Sequence, residues 1–321
     1  MKAKKLLAGV LTCAMMLTMG MTAFAADNKD QEKVTITKVY QLKGNGTSPA
    51  ETFTLEQVGE GKVTDGDATS APNLGTITGA EFAVGEATAE GTEKDITVTL
   101  PTYTNVGVYE YTLKEVARTT AGVAYHPGTI KLVVTVVNGD NGNLRIAAVH
   151  TETGDNEKSD TITNTYSANT LNVSKTVKGN LGDKSKYFEF KVTLTGEPGK
   201  TYGESYAVTG GSNTENPKSV KVGDKTTFKL KHGDKISIAN LPAGVSYKVV
   251  ETAVDKYDTA KSDDEGVISA DKESTAAFTN TKGVTVDTGI NLTTLPYMLT
   301  IAAIFVIAAI AFVAKRRRFE D

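Results

Sequence analysis

Apolar and polar residues alternate in short runs along most of this chain. Val34, Ile36 and Tyr40 alternate with Thr35 and Thr37, and Leu171, Val173 and Val177 alternate with Asn172, Ser174 and Thr176. A period of two places successive side chains on opposite faces of a β-strand. The runs are rich in β-branched and aromatic residues and are broken by Gly, Asn and Asp. Residues 131–137 and 144–149 flank the turn sequence 138–143, and residues 226–230 and 235–238 flank His232-Gly233-Asp234. Each pair predicts a hairpin. No long amphipathic helix interrupts the body. Many short strands without helices predict an all-β chain of two tandem immunoglobulin-like β-sandwich domains. The length of 321 residues suits two domains better than one.

The two ends read differently from the body. Met1-Lys2-Ala3-Lys4-Lys5 leads into an apolar run over 6–24 that closes on Ala23-Phe24-Ala25. A basic start, an apolar core and an A-x-A site predict a secretory signal peptide over 1–25. Cys13, the single cysteine, leaves with it. A mature chain without cysteine excludes disulfides, cysteine-ligated zinc and thiol nucleophiles. At the other end, the mostly apolar run 295–314 is followed by Lys315-Arg316-Arg317-Arg318. That length spans a bilayer, with the basic cluster on the cytoplasmic side. The predicted organisation is therefore a signal peptide (1–25), a first sandwich (26–167), a second sandwich (168–283) and a C-terminal segment (284–321).

Trimming both ends removes Lys2, Lys4 and Lys5 in front, and four basic and two acidic residues behind. What remains has 28 basic and 36 acidic residues, a net charge of −8. That balance predicts a soluble surface with no affinity for nucleic acid. His126, His150 and His232 are scattered without metal-ligand spacing, so neither a metal site nor a cofactor is predicted. No Ser-His-Asp order or phosphate loop stands out, and a turnover enzyme has little support.

The body repeats once. Leu100-Pro101 leads to Gly107-Val108-Tyr109-Glu110-Tyr111-Thr112-Leu113-Lys114-Glu115, and Leu241-Pro242 leads to Gly244-Val245-Ser246-Tyr247-Lys248-Val249-Val250-Glu251. Each copy opens on a strand containing a lysine (Lys38, Lys175) and closes on one containing an asparagine (Asn164, Asn280). Lys38 to Glu115 is 77 positions and Lys175 to Glu251 is 76, whereas Glu115 to Asn164 is 49 and Glu251 to Asn280 is 29. The first copy thus carries about twenty more residues of loop or strand late in its course.

Strand parity puts three polar residues of each copy on an apolar face. Lys38 shares a face with Ile36 and Tyr40, Glu115 with Tyr111 and Leu113, and Asn164 with Ile162 and Tyr166. Lys175, Glu251 and Asn280 repeat the arrangement with Val173, Val249 and Phe278. Burial disfavours both charged forms, lowering the pKa of an amine and raising that of a carboxyl. A neutral amine is a nucleophile and a neutral carboxyl a proton donor. Beside a carboxamide, such a trio can form an amide bond and release ammonia. The same trio also suits a buried ion pair with the asparagine bonding a turn, or a strand whose lysine is solvated.

These residues carry a family resemblance. The chain resembles the two-domain FctA-like (Spy0128-like) major pilins of Gram-positive bacteria over nearly all of its body, through Lys38, Glu115 and Asn164, through Lys175, Glu251 and Asn280, and through the ending Phe278-Thr279-Asn280. The resemblance implies autocatalytic Lys38–Asn164 and Lys175–Asn280 isopeptide bonds, with Glu115 and Glu251 as catalysts. The C-terminal segment resembles a sortase signal, which implies cleavage between Thr288 and Gly289. Val286 stands where that signal usually has proline. Lys158, six residues before Asn164, occupies nearly the place of the family's subunit-linking lysine. The resemblance implies the backbone subunit of a surface pilus, exported and held at the cell wall. Its partners would be further copies of itself head to tail, sortase, peptidoglycan, minor pilins and a host surface. A monomeric wall-anchored adhesin is the second reading.

Overall fold

The computed structural model describes residues 32–154, 157–284, 300–301 and 303–305. The expected signal peptide, Thr288, Gly289, the basic tail and most of the 295–314 run lie outside the described residues. Among the described residues, no helix is long and apolar enough to cross a membrane.

The body is all-β, as the alternation predicts. The opening strand Lys33–Gly44 buries Val34, Ile36, Lys38 and Tyr40 and turns the intervening side chains outward. It pairs antiparallel with Thr92–Thr99 and parallel with Thr161–Lys178. A second sheet, containing Gly107–Glu115, Thr129–Asn138 and Leu144–Thr153, faces it. Ile36, Tyr40, Phe53, Tyr111, Leu132 and Ile162 fill the space between them. A second interior is built from Val173, Phe188, Phe190, Phe228, Ile236 and Phe278. Each fully buried Phe or Ile contributes about 1.5–3 kcal/mol.

One strand belongs to both interiors. Thr161–Lys178 runs for 18 residues. Its first half lies parallel to the opening strand, and its second half lies parallel to the closing strand Ser274–Thr281 and antiparallel to Lys235–Pro242. Ala168 is the last of its residues in the first interior and Leu171 the first in the second. The junction expected at 167–168 therefore falls inside an unbroken strand, and one ten-stranded sheet passes from one sandwich to the other.

One predicted hairpin forms and one does not. Thr129–Asn138 and Leu144–Thr153 pair antiparallel around a 3₁₀ turn at Asp140–Gly142. This hairpin occupies the longer interval between Glu115 and Asn164. By contrast, Lys225–Leu230 pairs with Phe188–Thr195, while Lys235–Pro242 pairs with Thr161–Lys178 in the opposite sheet. The turn at His232 is thus a corner between sheets. Phe228 and Leu230 on one side and Ile236 and Ile238 on the other reach the same interior from opposite walls, and alternation alone reads identically for a corner and a hairpin.

Side chains clamp the joint between the sandwiches. Gly44 has a φ of 86°, and a Cβ there would lie 2.1 Å from the Ala168 carbonyl oxygen, so only glycine fits. Asn45 and Asn172 each donate from Nδ2 to one oxygen of Glu273, both at 2.9 Å. Asn240 adopts a φ of 59°, and its Oδ1 accepts from the Thr47 amide at 2.8 Å and the Tyr166 hydroxyl at 3.3 Å. Asn240→Ala is expected to cost about 1–3 kcal/mol, because it removes two hydrogen bonds and puts alanine, which lacks asparagine's tolerance of the left-handed region, at that φ. Hydrogen exchange checks this: the Thr47 amide, protected in the wild type, should exchange faster in the variant, and unchanged protection would contradict the clamp.

Candidate functional site

In each sandwich the first and last strands lie side by side and parallel, and this pairing brings lysine to asparagine. Tyr40 is the register partner of Asn164, so the asparagine sits two positions beyond Lys38 along the sheet. Val177 is the register partner of Asn280, two positions beyond Lys175. An identical offset in both halves puts amine and carboxamide diagonally adjacent on one inward face. The acid comes from the opposite wall. Glu115 is the last residue of Gly107–Glu115 and Glu251 the last of Ser246–Glu251.

The six predicted residues thus gather into two clusters. In the first, Lys38 Nζ lies 2.7 Å from Glu115 Oε1, with both side chains fully buried. The contact is an ion pair without the angle of a hydrogen bond, and Nζ has no hydrogen-bond acceptor. Asn164 Nδ2 donates to the same Oε1 at 2.9 Å. The other oxygen, Oε2, accepts from the main-chain amide of His126 at 2.6 Å. In the second cluster, Lys175 Nζ donates to Glu251 Oε1 at 2.8 Å and Oε2 at 3.0 Å, and Asn280 Nδ2 donates to Oε1 at 2.7 Å. Asn164 Oδ1 and Asn280 Oδ1 are buried without partners, and an unmade buried hydrogen bond costs about 1–3 kcal/mol. Each carboxylate therefore bridges an amine and an amide nitrogen, while the amide oxygen stays unpaired.

Aromatic rings enclose the amines. Lys38 Nζ sits 4.9 Å from the Phe53 ring centre, and Lys175 Nζ sits 4.3 Å and 5.7 Å from those of Phe188 and Phe190. The rings exclude water and return part of the lost hydration through cation–π attraction. Sequence alternation marks these phenylalanines as core but does not indicate which amine they cover. Burial lowers the Lys38 pKa from 10.5 to about 8, against the opposing pull of Glu115. It lowers that of Lys175 as well, against Glu251.

Lys158 is exposed, on the short edge strand Glu157–Lys158, where it pairs in register with Glu152. Thr288 and Gly289 lie outside the described residues. Among the described residues, no grouping of His, Cys, Asp or Glu could hold a metal ion.

Residues 27–167 match the model of the Spy0128-like isopeptide containing domain, and residues 169–282 match that of a domain of unknown function, DUF7601. A pilin of Streptococcus pyogenes serotype M1 is 32% identical over 172 residues, covering 48% of this chain and 50% of that protein. The pilus tip adhesin Cpa of Streptococcus pyogenes is 32% identical over 126 residues, covering 37% of this chain and 18% of that protein. The chain thus matches half or less of the length of these curated relatives. Among solved structures, the major pilin from Streptococcus pyogenes superposes with a TM-score of 0.53 at 24% identity, covering 80% of this chain and 100% of that one. The T3.2 major pilin superposes with a TM-score of 0.51 at 21% identity, covering 79% and 99%. These structures share the fold.

The depressed Lys38 pKa has a measurable consequence wherever the amine stays free. Between a folded pKa of about 8 and an unfolded value of 10.5, the unfolded chain binds more protons, so stability rises with pH across that window. Below about pH 8 both states are protonated and the burial penalty is fully present. Asn164→Ala, which retains the amine but removes its amide neighbour, should gain urea resistance from pH 8 to 10. Lys38→Met should lack that gain, and parallel curves for the two variants would contradict the assignment.

Proposed function

Residues 27–167 belong to the family of Spy0128-like isopeptide containing domains, and from that premise we propose that the chain is the backbone subunit of a covalent surface pilus. Each sandwich seals itself once with a lysine–asparagine isopeptide bond. The observation that carries this reading is the repeated two-residue offset between lysine and asparagine on parallel first and last strands, with a glutamate facing both.

The reaction follows from the contacts. The ammonium proton of Lys38 passes to Glu115 across 2.7 Å. The neutral amine attacks Asn164 Cγ, forming the new C–N bond. The Glu115 acid delivers its proton to the departing amide nitrogen and takes one from the attacking nitrogen. The C–N bond of the carboxamide breaks, ammonia leaves, and the carboxyl ends in its acid form. Lys175, Glu251 and Asn280 repeat the steps. The product cluster is uncharged, so the cost of burying an ion pair disappears. Folding holds the reactants in contact, which supplies much of the rate. Glu115 and Glu251 act once each, on their own chain, and the protein turns over no substrate.

The bonds create a short route for force. Asn164 and Lys175 lie on the same strand, Thr161–Lys178. With both bonds closed, tension entering ahead of Asn164 runs eleven residue steps along this strand to Lys175 and crosses to Asn280, while the Lys38–Asn164 bond ties the opening strand to it. The remaining strands then bear no load. Lys158 precedes Asn164 by six residues, so a subunit attached there pulls directly on that strand. The corresponding acyl donor is Thr288, released from Gly289 by a sortase, and the same enzyme class places the finished fibre on peptidoglycan. Minor pilins and a host surface complete the partners of such a shaft. The domain limits that go with this reading are 26–167 and 168–283, and the junction between them lies on the load-bearing strand Thr161–Lys178.

Cell-wall extracts probed by immunoblot test the shaft reading. The wild type should give a ladder of covalent multimers, and Lys158→Arg should give a single band with unchanged melting. A single band from the wild type would favour the monomeric adhesin, and a ladder from Lys158→Arg would move the linkage to another lysine.

A further inference from the structure

The two clusters hold their glutamates differently. Glu251 presents both oxygens to Lys175, at 2.8 Å and 3.0 Å, and Asn280 shares the first of them. Glu115 presents only Oε1 to the reacting groups, because Oε2 accepts the main-chain amide of His126 at 2.6 Å. His126 follows the short strand Val123–Ala124 and precedes Pro127, between the strands that form the first interior. Nε2 of its ring is buried without a hydrogen-bond partner. The contact to Glu115 is therefore made by the backbone, and nothing in the residue type at 126 advertises it.

We propose that the main-chain amide of His126 is the positioning donor of the first cluster: it pins Oε2 of Glu115 so that Oε1 alone bridges Lys38 Nζ and Asn164 Nδ2. This rests on the isopeptide reading above. A carboxylate anchored at one oxygen cannot rotate to pair with the ammonium through both. Its free oxygen stays between the atom that loses a proton and the nitrogen that receives one. Hydrogen bonds to a charged acceptor are among the stronger ones in proteins, and small displacements of a proton-transfer group slow a reaction steeply. The second cluster, which lacks such an anchor among the described residues, serves as an internal control within the same chain.

Cell-free synthesis of the full chain, followed by a chase and quantification of the Lys38–Asn164 and Lys175–Asn280 peptides by mass spectrometry, tests the assignment. His126→Pro removes the donor and should slow formation of the first cross-link by about 10-fold or more, with the second unchanged. His126→Ala keeps the N–H and should restore the wild-type rate. Replacing His126 by its α-hydroxy acid analogue, which substitutes an ester oxygen for the N–H without altering chain shape, should reproduce the proline result if the proline variant misfolds. A wild-type rate in the ester variant, or an alanine variant as slow as the proline one, would overturn the proposal. Absence of both cross-links in the wild type would instead overturn the isopeptide reading on which it depends.

Discussion

A lysine ammonium and a glutamate carboxylate sealed in an apolar interior are the constraint around which each sandwich is organised. Removing both ions from water costs several kcal/mol per ion, and their mutual attraction offsets this only with good geometry and further hydrogen bonds. The geometry here is incomplete. Lys38 Nζ has an ion-pair contact but no hydrogen bond, and both asparagine oxygens are unpaired. An arrangement so poorly satisfied is hard to explain as a resting structure and easy to explain as reactants. Conversion to a neutral amide with loss of ammonia removes the two charges together.

The rest of the fold holds those three side chains together. Parallel pairing of first and last strands sets the lysine–asparagine offset, and the facing sheet ends its strand on the glutamate. Phe53, Phe188 and Phe190 keep water from the amines. Because the strand Thr161–Lys178 is shared, both sites sit on one strand, and the Asn240 and Glu273 clamps hold the sandwiches in line at the joint. A hydrogen-bonded sheet alone yields to tension one ladder at a time. The proposed covalent path along a single strand would not.

Much of this was legible in the residues themselves. Strand parity places Lys38 with Ile36 and Tyr40, and the burial of alternate residues along Lys33–Gly44 agrees. The internal repeat doubles the signal for the polar trio. Pairing partners were less legible, because a period of two says which face a residue occupies and not which strand lies beside it. The turn at His232 reads as a hairpin for that reason, yet it joins opposite sheets. The continuity of Thr161–Lys178 across the joint was hidden as well, since Ala168, Asn169 and Thr170 break the simple alternation. The His126 contact had no signal at all, because a main-chain donor leaves no mark in the residue type.

On the reading proposed above, both clusters react. The intact mass of the mature chain, purified without any added catalyst, tests it most directly. Two closed bonds should leave a mass below that of the sequence by two ammonia molecules. A mass equal to that of the sequence would contradict it, leaving two buried ion pairs in place of two bonds.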